Sequence, residues 1–296
     1  MPRATLARLQ VANPDILRFF CQSKKRVYHF QELARTLRER REEWDTGPRM
    51  TTEALISLLT ASGELRRVII EPGKRHPRGT SFTRYVWGAA SPEEIALSLR
   101  KGSYLSHGSA AAAHGLCGDA PRRVIYVNQE QSPKEPGDGG TITQDGIDRA
   151  FRGKQRQSTF IYECEGVEIV VLNGKHTAAL EVSADPAVTR LERTLIDIAV
   201  RPSYAGGVDE VLAAYRAAAG KAMAARLLST LRKLNYLYPY HQAVGFYMER
   251  AGFPSAQSLR MKEPGIKWDF YLAHNIKDRA YCSGWRIYYP KSWQPL

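Results

Sequence analysis

Cysteine is scarce in this chain, and Cys21, Cys117, Cys164 and Cys282 form no Cys-x-x-Cys pair. That spacing argues against a zinc ribbon and against a disulfide framework, so reduced and mostly buried thiols are expected. Long apolar runs are also missing. None approaches the roughly 20 residues that cross a bilayer, and Met1-Pro2-Arg3-Ala4-Thr5-Leu6 lacks the apolar core of a secretory signal. The expectation is a cytoplasmic protein with no membrane partner. The sequence has no glycine-rich phosphate loop and no nucleophile elbow, and no acid matches a Ser-His pair. We therefore expect a non-enzymatic protein without a cofactor. Acidic residues are few: 30 Asp/Glu against 43 Lys/Arg leave a net charge of +13.

A chain of 296 residues, 43% hydrophobic and 25% charged, is long and apolar enough for two ordinary globular domains. Its positive charge is uneven along the sequence. Residues 1–100 hold 18 Lys/Arg and 11 Asp/Glu, whereas the remainder holds 25 and 19, so positive density is about twice as high in the first third. A nucleic-acid partner is the leading implication, with a merely solubilising charge as the plain alternative.

The stretch from Arg49 to Trp87 organises the rest. A polar turn (Asp45 to Pro48) and a Thr51-Thr52-Glu53 start precede Leu55, Leu58 and Leu59, spaced as one buried helical face, and Gly63 closes the helix. Leu65 to Ile70 and Phe82 to Trp87 read as strands. Between them Pro72, Gly73, Pro77 and Gly79 forbid a helix. From Arg66 to Arg84 this ribbon carries six Lys/Arg against Glu71 alone. Upstream, Asn13 and Pro14 start a first helix to Cys21, and Lys24-Lys25-Arg26 is a basic turn. Phe30, Leu33, Ala34 and Leu37 predict a second helix to about Trp44, whose alternating Arg/Glu outer face reads as solvated and self-paired.

Three helices followed by a basic β-ribbon predict a winged helix-turn-helix over residues 1–100. Arg49, Thr51, Thr52 and Ser57 would face the major groove of double-stranded DNA. Arg66, Lys74, Arg75, His76 and Arg78 would hold the wing against it, with Lys24, Lys25 and Arg26 on flanking phosphate. The third helix carries no Arg, Lys, Asn or Gln, so specificity would lean on Arg49, on DNA shape or on the wing tip. The alternative is a winged helix used for protein contacts only.

Residues 101–296 read as a second, α+β domain of mixed helices and strands. Ser91-Pro92-Glu93-Glu94 starts the linking helix, and the boundary is expected at Arg100-Lys101-Gly102. Tyr104 to Leu116 reads as a helix capped by Ser106 and ended by Gly115, with His107 and His114 two turns apart. Expected strands are Val124 to Val127, Thr159 to Glu163, Val167 to Leu172 and Thr177 to Val182, the last two joined through an Asn173-Gly174 hairpin. Gln131 to Gly140 reads as a mobile loop, and Phe151 to Arg156 as a second basic cluster. Helices are expected over Val188 to Ala199, Val208 to Ala219, Ala222 to Leu234 and His241 to Ala251. Two final strands cover Trp268 to Leu272 and Trp285 to Tyr289. Glu163, Glu165 and Glu168 read as one exposed strand face.

Several short segments resemble the AbiEi-type antitoxins of type IV toxin–antitoxin and phage-defence loci. These are Ser106, Ser109, Ala110, His114, Gly115 and Leu116; the run Glu192-Arg193-Thr194-Leu195-Ile196-Asp197; Gly245 to Glu249; and Trp285-Arg286-Ile287-Tyr288. The resemblance implies a transcriptional autorepressor of operator repeats whose antitoxin-like domain opposes a nucleotidyltransferase-like toxin encoded nearby. Arg193 and Asp197, one turn apart, would pair as framework. Rival expectations are a module that neutralises a toxin without binding DNA, and a metal-dependent nuclease.

Overall fold

The computed structural model describes residues 14–76, 79–118, 123–133 and 141–294. In chain order the elements begin with α1 (residues 14–22), β1 (Val27–Tyr28), α2 (Phe30–Glu39), α3 (Thr52–Ala61), β2 (Leu65–Pro72), β3 (Phe82–Trp87) and α4 (Pro92–Leu97). Next come β4 (Tyr104–Leu105), α5 (His107–Ala113), β5 (Val124–Glu130), α6 (Gln144–Arg152), β6 (Ile161–Cys164) and β7 (Val167–Gly174). Then follow β8 (Val182–Ala184), β9 (Ala187–Thr189), α7 (Leu191–Val200), α8 (Val208–Ala218), α9 (Ala224–Leu234) and α10 (Tyr240–Arg250). The chain closes with α11 (Ser255–Ser258), β10 (Phe270–Tyr271), β11 (Arg279–Cys282) and β12 (Ile287–Pro290). Helix and strand mix throughout, and the chain forms two compact units. The first comprises residues 1–101 with 159–169, the second 102–158 with 170–296. The chain first leaves the first unit after Lys101, and the β6 excursion back into that unit has no warning in the composition.

In the first unit, Ile16 and Phe20 of α1, Leu33 and Leu37 of α2, and Leu55 and Leu59 of α3 close on Leu65, Trp87 and Trp44. Apolar residues at i, i+3 and i+4 give each helix one buried stripe, and burial of that stripe rather than propensity holds such short helices. The start of α3 is fixed by Thr51, whose hydroxyl accepts the Ala54 N–H at 3.2 Å. At α4, Ser91 and Glu94 each accept the other's backbone N–H. The second helix ends at Glu39, short of the expected Trp44. Arg41 reaches forward to the carbonyls of Gly47 and Met50 and binds the approach to α3 into a turn, leaving Trp44 in the core. The cap residue Asn13 lies outside the described residues. Strand order runs β1-β3-β2-β6, all antiparallel, with Val27 opposite Val86, Leu65 opposite Trp87, and Glu71 opposite Glu163.

The second unit is built around α7, buried on every side from Glu192 to Ala199, with α5, α8, α9 and α10 packed against it. β4 lies between β5 (antiparallel) and β9 (parallel), and β8 closes the row. A separate sheet has the order β10-β12-β11. Three expectations fail here. The helix expected from Val188 starts at Leu191, because Val188 pairs with Leu105 as strand. The strand expected over Thr177 to Val182 is a turn up to Glu181, and only Val182 is strand, at the start of β8: the Glu130 carboxylate accepts the Thr177 and Ala179 N–H groups, each at 3.1 Å, and curls the segment round itself. Gly174 therefore ends a strand instead of turning a hairpin, and a Cβ there would sit 2.6 Å from Asn128 Oδ1. α6 and β11 carry no mark in the sequence reading, and residues 134–140 of the expected loop lie outside the described residues.

Candidate nucleic-acid interface

The exposed ridge of α3 is formed by Glu53, Ser57 and Thr60, one helical turn apart, with Thr51 exposed at its head and Thr52 half-buried. Sequence reasoning passed over Glu53, although the i, i+4 spacing to Ser57 puts it on that ridge. Thr51 accepts the Ala54 N–H, and its hydroxyl hydrogen remains to donate elsewhere. Arg49 is exposed just before the helix. Lys24 is exposed and Arg26 half-buried beside β1.

The β2–β3 ribbon has two unlike faces. Arg67, Ile69 and Glu71 alternate along the open one, opposite Tyr85 and Thr83. Val68, Ile70, Arg84 and Val86 lie on the other and are buried. Arg84 is only 3% exposed: its guanidinium donates to the Ser98 carbonyl and hydroxyl beyond α4, and burial lowers its pKa. One of the six ribbon cations is thus structural.

The expected free finger is instead braced. β2 pairs with β6 at Pro72 opposite Tyr162, and the Gly73 N–H donates to the Ile161 carbonyl at 2.9 Å. His76 lies 2.9 Å from the Tyr162 hydroxyl with its ring against Tyr162 and Phe160. Arg66 is ion-paired through both terminal nitrogens with Glu165 on the β6–β7 turn. Lys25 is also engaged, 2.5 Å from Glu32. Burial pushes the Glu32 carboxyl up, but the hydrogen bonds from Lys25 and from the His29 N–H outweigh it and hold the pKa below the usual value. Two sites expected to be free for phosphate, Lys25 and Arg66, therefore already hold acids in their own chain, and His76 is packed into an aromatic pair. Lys74 and Arg75 are exposed at the turn with no acidic partner among the described residues. Arg78 lies outside them.

The exposed cations without an ion pair include three that the sequence reading left out of the site: Arg35 and Arg38 on α2, and Arg67 on β2. Of the arginines on the expected self-paired face, Arg40, which caps α2, is the one that pairs with an acid of that face among the described residues, at 2.6 Å from Glu43. Charge counted by folded unit also changes the picture. The excursion brings Glu163, Glu165 and Glu168 into the first unit, which then holds 19 Lys/Arg and 14 Asp/Glu against 24 and 16 in the second. The twofold asymmetry along the sequence disappears at the level of the fold.

In the second unit, His107 is buried, with its Nδ1 2.9 Å from the Ser106 hydroxyl. Burial, assisted by Arg201 and Arg193, drops its pKa to about 3 and leaves the ring neutral. His114 Nε2–H donates to the Thr189 carbonyl at 2.6 Å. Arg193 and Asp197 pair at 2.8 Å, each 5% exposed at the side chain, as the helical spacing predicts. The Gly245 to Glu249 and Trp285 segments meet directly. The Trp285 ring lies against Gly245, and its indole N–H donates to Glu249 at 2.9 Å, one helical turn on. Phe151, expected in a basic cluster, is buried against Phe270 and His274 instead.

No helix among the described residues is long and apolar enough to cross a membrane. No family model matches this chain, and no curated protein matches it. Its fold is similar to the crystal structure of the RV2827C protein from Mycobacterium tuberculosis, with a TM-score of 0.56 at 14% identity, over 95% of this chain and 91% of that one. What the two chains are shown to share is the path of the backbone.

Proposed function

We propose that the first unit is a winged helix-turn-helix that binds double-stranded DNA and acts as a transcriptional repressor. The observation that carries this reading is the connectivity. A helix, a short strand, two helices and a two-stranded ribbon follow one another, the short strand joins the ribbon as β1-β3-β2, and α3 keeps a solvent-facing polar ridge. Such a unit lays its third helix in a major groove and its ribbon beside it. Ser57 and Thr60 suit thymine methyls or phosphate, and Glu53 suits the exocyclic amine of cytosine. Lys24, Arg26, Arg49, Arg67, Lys74 and Arg75 have no acidic partner among the described residues, so six phosphates can be neutralised without breaking an ion pair. The antitoxin-like role of the second unit rests on the resemblance at Ser106–Leu116, Glu192–Asp197, Gly245–Glu249 and Trp285–Tyr288, and a nucleotidyltransferase-like toxin is the partner it implies.

The test is binding to the DNA upstream of the chain's own gene, measured against salt. Six neutralised phosphates predict a log–log slope of about −5. Changing Lys74, Arg75 and Arg78 together to Ala should flatten it by roughly 2–3. An unchanged slope removes the ribbon from the interface. The second reading is a protein-contact module, favoured by Ile69, 47% exposed on the open ribbon face. Co-purification with a neighbouring gene product, without any shift of that DNA, would replace the first reading with it.

A further inference from the structure

The outer face of the three-stranded sheet in the second unit carries one rung of tyrosines. In register, Tyr271 of β10 stands opposite Tyr288 of β12, which stands opposite Tyr281 of β11. All three therefore share one face, while Phe270, Ile287, Ala280 and Tyr289 turn inward to the core. The rings form a continuous row: Tyr271 and Tyr288 are stacked 4.8 Å apart at 27°, and Tyr281 is tilted against Tyr288 at 4.9 Å and 47°. At the inner end Tyr271 is covered, with its ring 5.6 Å from Phe151 and its hydroxyl donating to Asp148. At the outer end the stack stops on the edge strand with Tyr281, 43% exposed.

One cation lies on this row, and others flank its strands in sequence. The Arg279 guanidinium lies 4.6 Å from the Tyr288 centroid and 5.4 Å from that of Tyr271, and it has no carboxylate partner among the described residues. Lys267, Lys277 and Lys291 are exposed nearby in sequence, also without acids. From Lys267 to Lys291 the chain holds five Lys/Arg and two Asp/Glu. Asp269, one of those acids, is already occupied: it accepts from the Tyr281 hydroxyl at 2.5 Å and from Arg286 Nε at 2.9 Å. That pair of bonds fixes Tyr281 in its orientation without covering its ring.

We infer that this face binds single-stranded nucleic acid, with an unstacked base adding to the open end of the row at Tyr281 and the backbone running over Arg279 and the flanking lysines. Two features select this occupant over a protein. A fixed aromatic ring beside a stacked guanidinium takes any base, because every base has a π-face. The unpaired cations want a polyanion, whereas an apolar protein partner would have to desolvate them. A duplex offers no unstacked base, so the site discriminates against it. The inference does not rest on the repressor reading, since it concerns the other unit.

The experiment uses the full chain and fluorescence anisotropy with labelled oligo-dT, oligo-U and a random-sequence duplex at low salt. Expected are binding of both single strands, competition between them, and weaker binding of the duplex. Tyr281→Ala should weaken single-strand binding roughly tenfold, the loss of one stacked base. Tyr281→Phe keeps the ring and should restore it. Arg279→Ala should weaken binding and flatten its salt dependence. Duplex binding through the first unit should be unchanged in all three variants, whether that unit binds DNA or not. Wild-type affinity in Tyr281→Ala, or no single-strand binding at low salt, overturns the proposal. Sedimentation showing self-association that Tyr281→Ala abolishes, without oligonucleotide binding, would assign the face to a second copy and overturn it as well.

Discussion

The two units differ in what they do with charge below the surface. The first keeps its ion pairs at the surface: Arg18–Asp15, Lys25–Glu32, Arg40–Glu43 and Arg66–Glu165 all have substantially exposed side chains. The second has surface pairs too, Arg232–Glu263 and Arg260–Glu263 among them, but it also buries Arg193–Asp197 in α7, with Arg193 donating to the Leu180 carbonyl as well. Surface pairs contribute little and exchange readily with other ions, while a buried pair is costly to leave half-made. The pair in α7 thus holds a single geometry, whereas the surface pairs of both units can trade partners. The same division holds for apolar packing. The first unit packs three short helices over a modest core, and the second encloses a helix on every side.

The hardest test of that contrast is Gly245 in α10. A Cβ there would run into the Trp285 ring and sit 2.8 Å from Met261 Cβ. Neither neighbour can retreat, since Trp285 is 1% exposed and tied to Glu249, and Met261 is fully buried. Overpacking usually costs 1–3 kcal/mol, but an enclosed indole has no free rotamer, so Gly245→Ala should cost about 4–5 kcal/mol even though alanine favours a helix. For a unit of this size that lowers the melting temperature by roughly 10 °C or more. A melting curve like that of the wild type would mean that this core is looser than its packing implies. Gly153, just after α6 with open space around it and an ordinary extended backbone, is the natural control.

A smaller but cleaner effect is expected at the buried pair. Asp197→Ala strands the Arg193 guanidinium in the core with only the Leu180 carbonyl, and should destabilise by about 3 kcal/mol. Asp197 Oδ2 already lacks a partner, which puts the cost at the lower end of the range for such pairs. Replacing both residues together, Arg193→Met with Asp197→Leu, should recover most of the loss, because the penalty lies in the unpaired charge. Chemical denaturation of the three variants checks this. If the double variant is as unstable as the single one, the pair specifies the fold and is not merely tolerated in it.

Sequence periodicity foresaw the pieces of the first unit well. The i, i+3, i+4 leucines of α3, the Ser91–Glu94 cap and both ribbon strands lie where the pattern puts them, because local chemistry decides them. What it could not foresee is long-range. Nothing between Phe82 and Leu116 says that β6 will return from residue 161 to brace β2, and only that return gives His76 and Arg66 their partners Tyr162 and Glu165. The same limit hid β9, which claims Val188 from α7, and the Glu130 carboxylate that unmakes the expected strand at Thr177. In the second unit the Arg193–Asp197 spacing was legible, since both ends lie on one helix. The tyrosine rung was not, because its three residues come from three strands whose register is set only on folding.

The smallest expected effect, and the one that sharpens the contrast most, is at Arg66. Its pair with Glu165 is two-pronged, yet the side chains are 43% and 50% exposed. Arg66→Ala should therefore cost at most about 1 kcal/mol, and a double-variant cycle with Glu165→Gln should give a coupling that vanishes at high salt. The same weakness makes the pair exchangeable. Glu165→Gln leaves the fold intact and frees a guanidinium on the ribbon, so duplex DNA should bind a few-fold more tightly and its salt slope should steepen by about one phosphate. A tighter complex without a steeper slope would mean that Glu165 merely repels the DNA. No change in either would put Arg66, like Arg84, among the cations that serve the fold.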